Sequence, residues 1–215
     1  MQKIKNITQY FFSTLGITAL FFGVTNLLFR LERFVFFEIQ IPNVSVTNVD
    51  NQFEFLKLIK LEDLNQLPEL IIDDLNKRTG KTVRELIIEG AYVYALLLEQ
   101  TVVAQVVISK TLPVMIDTPL PLVVDYSIGS RLLGYLYTNP VHRGNNLAGN
   151  LISNVIQDLQ CKEVPLLIAH ISSTNLNSMR VFRKLAWQSV GSIISYNSRR
   201  LIFNTRSKHL KFRVK

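Results

Sequence analysis

Asn139-Pro140-Val141-His142-Arg143-Gly144-Asn145-Asn146-Leu147-Ala148 is the stretch whose reading decides the fold. It leaves an apolar run, Arg131 to Asn139, that reads as a strand. It then opens a segment, Gly144 to Gln160, in which Leu147, Leu151, Ile152, Val155, Ile156 and Leu159 share one helical stripe. A helix entered from a strand in this way presents unpaired backbone amides and the positive end of its dipole, a geometry that can hold a phosphate or pyrophosphate. Gly144 allows a ligand to approach the main chain closely.

Downstream, Val164 to Ile171 is an unbroken apolar run suited to a buried strand, so strand, helix and strand form a parallel crossover around the 144–160 helix. Asn175 to Leu185 returns to helical spacing. Gln188 to Ser195 and Arg199 to Asn204 make a hairpin turned at Asn197 and Ser198. Upstream, Phe53 to Lys60 alternates as a strand. Leu61 to Lys77 carries Leu61, Leu64, Leu67, Leu70, Ile71 and Leu75 at helical spacing and is read as one helix ended by Gly80. A shorter helix, Val83 to Glu89, leads into a hairpin of Ala91 to Leu98 and Val102 to Ser109, joined at Glu99 to Thr101. Pro113, Pro119 and Pro121 make Leu112 to Asp125 a loop or broken edge. This order predicts an α+β class: a mixed, mostly antiparallel sheet flanked by helices.

Two motifs in this order resemble the GCN5-related N-acetyltransferase (GNAT) superfamily. The pattern Arg/Gln-x-x-Gly-x-Gly/Ala after a strand is met by Arg143, Leu147 and Ala148, with Asn146 standing where the family usually has glycine. Asn175-Leu176-Asn177-Ser178, followed by a helix and Phe182-Arg183-Lys184-Leu185-Ala186-Trp187, is similar to the family's Asn-x-x-Ser and its Tyr-x-Lys-Leu-Gly-Phe ending. The resemblance spans about residues 53 to 205. It divides the chain into an N-terminal hydrophobic helix and linker, 1–50, and a GNAT-like domain, 51–215.

The resemblance implies transfer of an acetyl group from acetyl-CoA to an amine, or a hydroxyl, of a small molecule, sugar or peptide. It implies that Arg143, Gly144, Asn145, Asn146, Leu147 and Ala148 hold the nucleotide end of the cosubstrate. Pantetheine then runs between the strands at 131–139 and 164–171, with amides near Tyr137 or Thr138 facing the thioester oxygen and Asn175 and Ser178 on the pantetheine side. The family's usual general acid, a tyrosine on the last helix, is Phe182 here, which has no proton to give. His170 and Tyr137 are the expected replacements. The alternative is a GNAT-fold module that binds coenzyme A, or regulates, with weak or no catalysis.

Outside the resemblance, Tyr10 to Phe29 holds 20 residues without a charge, between Lys3 and Lys5 on one side and Arg30 and Arg33 on the other. As a helix it would reach about 30 Å, the thickness of a bilayer core. Its Ser, Thr and Asn residues scatter around the wheel, so it is expected either in a membrane or buried on the domain or in a homodimer. It is long for a cleaved signal, and no small-x-small site precedes Arg30. Dependence on acetyl-CoA places the domain in the cytoplasm, attached to the inner membrane face if residues 10–29 span.

The formal charge of +8 favours an anionic partner. Seven cations, Arg199, Arg200, Arg206, Lys208, Lys211, Arg213 and Lys215, lie at the end of the sequence, either as a solvated last strand and tail or as a contact for anionic lipid or a phosphorylated ligand. No interleaving of aromatic and basic residues marks a nucleic-acid face. With Cys161 the single cysteine, neither an intramolecular disulfide nor a cysteine metal cluster is expected, and no metal site is assigned.

Overall fold

The structure, a computed structural model, describes residues 14–44, 52–117, 121–207 and 209–214. The chain divides into two compact units: Ile39–Val114 with Ile128–Ala169, and Met1–Glu38 with Met115–Ser127 and His170–Lys215.

In the first unit, β2 (Glu54–Leu58), β3 (Tyr92–Leu98), β4 (Thr101–Thr111) and β7 (Arg131–Thr138) form an antiparallel run, and β7 pairs parallel with β8 (Leu166–Ser172) through Arg131↔Leu167, Leu132↔Ile168 and Leu133↔Ala169. The parallel pair encloses the Leu147–Gln160 helix, as the apolar stripe predicts. Glu99 and Gln100 turn the β3–β4 hairpin with positive φ. The single helix expected over Leu61 to Lys77 is two, Leu61–Leu64 and Glu69–Asn76. Pro68 is the cause: it has no N–H to donate and disfavours helical angles at Leu67, so the second helix starts behind it. Leu64, Ile71, Leu75, Val83, Leu86 and Ile87 from these helices pack on Leu58, Val93, Ala95, Leu97, Val102 and Val107 of the strands. Each such Val, Leu or Ile contributes about 1.5–3 kcal/mol on burial.

The Leu147–Gln160 helix is pinned to the sheet by Asp158, which accepts from Tyr94 Oη at 2.6 Å and from Lys57 and Lys162. Burial pushes the Asp158 carboxyl up, but the hydrogen bonds from Lys162, Lys57 and Tyr94 outweigh it and hold it below the usual carboxylate range. Burial and the Asp158 contact push the Tyr94 hydroxyl up.

In the second unit, β1 (Leu31–Gln40) pairs antiparallel with β9 (Gln188–Tyr196), which pairs in turn with β10 (Arg200–Arg206). In β1, Phe34, Val35, Phe36 and Phe37 are buried. Asn197 and Ser198, both at φ 51°, turn the β9–β10 hairpin as expected. The proline-rich 112–125 stretch is not all loop. Pro113 precedes β5 (Val114–Ile116), Pro121 precedes β6 (Leu122–Asp125), and β6 pairs with β11 (Lys211–Val214), so Lys211 and Arg213 of the basic end stand on a strand. Phe182 is buried against Trp187 (4.7 Å between ring centroids) and Phe37 (6.2 Å).

The N-terminal helix is described over Thr14–Phe29; residues 10–13 of the expected helix lie outside the described residues. Among the described residues no helix is long and apolar enough to cross a membrane.

Candidate functional site

The turn after β7 is built by short-range contacts. Asn139 Oδ1 accepts from Val141 N at 3.2 Å and sets a short 3-10 turn, Pro140–His142. Arg143 folds back, its Nε donating to Thr138 O at 3.3 Å. Gly144 then sits at φ 94°, a conformation L-residues rarely adopt, and a Cβ there would meet nothing within 4 Å. Asn146 takes φ 57° and ψ 20°, in the left-handed region where Asn is tolerated better than most residues, and serves as the N-cap residue.

No side chain caps the helix that follows. The first amide to find an intrahelical acceptor is that of Asn150, on Asn146 O at 3.0 Å, so the amides of Leu147, Ala148 and Gly149 precede the ladder. The Asn146 side chain lies over Gly149 and donates to Asn150 Oδ1 at 3.1 Å. Buried Leu147 anchors the turn, while Arg143, Gly144, Asn145 and Asn146 are exposed. Three amides ahead of the ladder at the positive end of the dipole, entered through a Gly144 with no atom within 4 Å of a Cβ there, fit a diphosphate, with the Asn146 side chain lying over Gly149.

Strand β7 is irregular where the chemistry would fall. Tyr135 has φ 51°, and Gln105↔Tyr137 is followed by Val107↔Gly134, so Tyr135 and Leu136 together face Val106. This is a β-bulge, a device that re-aims side chains and interrupts pairing. The described β7–β8 pairs end at Leu133↔Ala169, just before it, and leave Gly134 to Thr138 outside that ladder. Tyr137 stands across from Gln105, with the Arg78 guanidinium 4.1 Å above its ring. Fully buried Gln105 donates through Nε2 to Leu75 O at 3.2 Å; its Oε1 and the Nε of Arg78 are buried without a hydrogen-bond partner among the described residues. The Tyr135 hydroxyl lies beside Gly80.

Of the residues singled out in the sequence, Tyr137, Thr138, Arg143, Gly144, Asn145, Asn146, Leu147 and Ala148 are brought together at the end of β7 and the start of the helix. His170, Asn175 and Ser178 belong to the other unit. There the imidazole of His170 lies against Phe36 (5.8 Å between centroids, stacked) and Phe34 (5.9 Å). Asn175 caps the Leu176–Lys184 helix, its Oδ1 accepting from Ser178 N at 3.2 Å. Arg78, Gln105 and the bulge at Tyr135 were not found by motif. Gln105 had a signal: it is the one polar residue in the apolar run Val102 to Val107, and a buried strand seldom carries such a group without a use.

The fold is that of the GCN5-related N-acetyltransferases, and the resemblance carried by the two motifs is borne out. Residues 127–194 match the family model described as FR47-like protein. A GNAT-family protein from Novosphingobium aromaticivorans superposes with a TM-score of 0.51 at 16% identity, over 83% of this chain and 66% of that one. A GCN5-related N-acetyltransferase from Sphaerobacter thermophilus gives 0.50 at 9% identity, over 80% and 53%. A tandem GNAT protein from the clavulanic acid biosynthesis pathway gives 0.50 at 11% identity, over 74% and 50%. The chain thus spans between 50% and 66% of the length of these structures. No curated protein matches it.

Proposed function

We propose that this chain is an acyltransferase that moves an acetyl group from acetyl-CoA to an amine, or a hydroxyl, of a small molecule, sugar or peptide. The observation that carries the reading is the uncapped start of the Leu147–Gln160 helix, entered through Gly144 and left-handed Asn146 directly after a strand. Amides of Leu147, Ala148 and Gly149 would receive the pyrophosphate, with Arg143 beside it. In the reaction an acceptor lone pair attacks the thioester carbonyl and the new bond to carbon forms, the acceptor gives up its proton, the carbon–sulfur bond breaks with its electron pair on sulfur, and the thiolate takes up a proton in place of the one the acceptor lost. Backbone amides of the bulged stretch Gly134 to Thr138 are suited to stabilise the oxyanion. Tyr137, held under Arg78, is the group assigned to proton movement in this unit. The cluster of Arg78, Tyr135, Gln105 and Tyr137 supplies polar groups for orienting the acceptor.

Phe182 favours a second reading. At 1% exposure it is packed against Trp187 and Phe37 and has no hydroxyl, which fits a module that binds coenzyme A with weak or no catalysis. Thermal unfolding with and without acetyl-CoA tests both: ligand at about 100 times its dissociation constant adds about 2.7 kcal/mol of apparent stability. No shift overturns cofactor binding altogether. A shift together with thiol release over a panel of amines supports the enzyme; a shift with no release on any of them supports the binding module.

A further inference from the structure

The Thr14–Phe29 helix is amphipathic the wrong way round for a helix in water. It holds no charged residue. Gly16 and Ala19 are buried, and Thr18, Thr25 and Asn26 are half-buried, so these three polar side chains share the protein-facing side instead of scattering around the wheel as expected. Thr25 Oγ1 even donates back to Phe22 O at 3.3 Å. The outward residues are Ile17, Leu20, Phe21, Val24, Leu27 and Leu28, with Leu27 84% exposed and Phe21 60%. Single exposed apolar side chains are ordinary, but a whole face of them on one helix marks a surface that something covers.

Charge on the same unit identifies the cover. The helix ends at Arg30, whose guanidinium donates to Asn197 Oδ1 at 3.1 Å and whose carbonyl accepts from Asn197 N at 2.8 Å. The helix end is thereby locked to the β9–β10 turn, where Arg199 and Arg200 are exposed. Tyr196, Ile202 and Phe203 flank those arginines and are exposed as well. Arg33 lies 5.6 Å from the Phe22 ring, and the one carboxylate here, Glu32, accepts from Ser198 Oγ at 3.0 Å. An apolar helix face joined to an aromatic and arginine-rich turn is the composition of a surface that rests in the headgroup boundary of a bilayer, with arginines reaching to phosphate. A second copy would bring an equally cationic surface against this one.

We propose that the outward face of the Thr14–Phe29 helix and the β9–β10 turn form a docking surface for an anionic lipid bilayer, lying on the membrane instead of spanning it. The assignment is independent of the acyl-transfer reading. The test is co-sedimentation of the full chain with phosphatidylcholine vesicles, with and without phosphatidylglycerol. Binding to the phosphatidylglycerol vesicles is expected, weakening with salt. In the R199Q/R200Q double variant it should fall about fivefold for each arginine removed, and in L20D/L27D it should be lost while thermal unfolding stays cooperative. Equal binding by L20D/L27D and the unchanged chain overturns the proposal. So does failure to bind vesicles, whether the chain is a monomer by light scattering or a dimer that L20D/L27D separates.

Discussion

Replacing Asn145 by aspartate puts a carboxylate two residues before the Leu147–Gln160 helix at almost constant volume, on an exposed side chain. Two effects of opposite sign follow if the helix start is the diphosphate site. The negative charge favours the positive end of the dipole and stabilises the free protein by about 0.3–1 kcal/mol. It also faces the ligand: two phosphate charges at about 6 Å in water cost about 1.4 kcal/mol, halved by physiological salt, so acetyl-CoA binding weakens about three- to tenfold. Urea unfolding of the free chain reads the first effect and titration calorimetry at two salt concentrations reads the second. A variant that is more stable yet binds acetyl-CoA as well as the unchanged chain would refute an anion at this helix start. Loss of stability would instead mean that the turn had moved, and the isosteric change makes that easy to recognise.

Three further outcomes are expected. Y137F keeps the ring under Arg78 but removes its proton, so thiol release should fall about a hundredfold or more with acetyl-CoA affinity unchanged; unaltered turnover would send the proton through another group. Asp158 and Asp63 are both held below the usual carboxylate range, Asp63 by backbone hydrogen bonds from Ile59 (2.7 Å) and Lys60 (2.9 Å). Their stabilisation is therefore complete above the ordinary carboxylate pKa of about 4 and is lost as pH falls through the lower folded-state values. D158N should cost about 1–3 kcal/mol at neutral pH and flatten the acid limb of a urea-midpoint curve, and an unchanged curve would count against the network. G191A should destabilise by about 1–3 kcal/mol in the same assay, because its Cβ would meet the Thr205 carbonyl at 2.6 Å and the Arg206 Cα at 3.1 Å, both main-chain atoms of the neighbouring strand.

What the sequence determined by itself is what neighbours along the chain decide. The stripe from Leu147 to Leu159, the hairpin turned at Asn197 and Ser198, and the Gly144–Asn146 entry to a helix are written in residues close enough to interact directly, and each stands where its pattern put it. The break at Pro68 was equally local; the run of leucines on either side concealed it. Tertiary structure alone decided the rest. β1 became a sheet strand because Leu31 to Glu38 found β9 some 150 residues later, and the basic end became β11 because β6 was there to pair with it. The bulge at Tyr135 exists only in the register between β4 and β7, and no spacing within β7 announces it. The partners that surround His170, Phe34 and Phe36, are likewise remote in sequence. Helical and turn preferences are summed over a few residues, whereas strand pairing and the surroundings of a side chain are settled by whichever distant segment completes the hydrogen bonds and excludes water there.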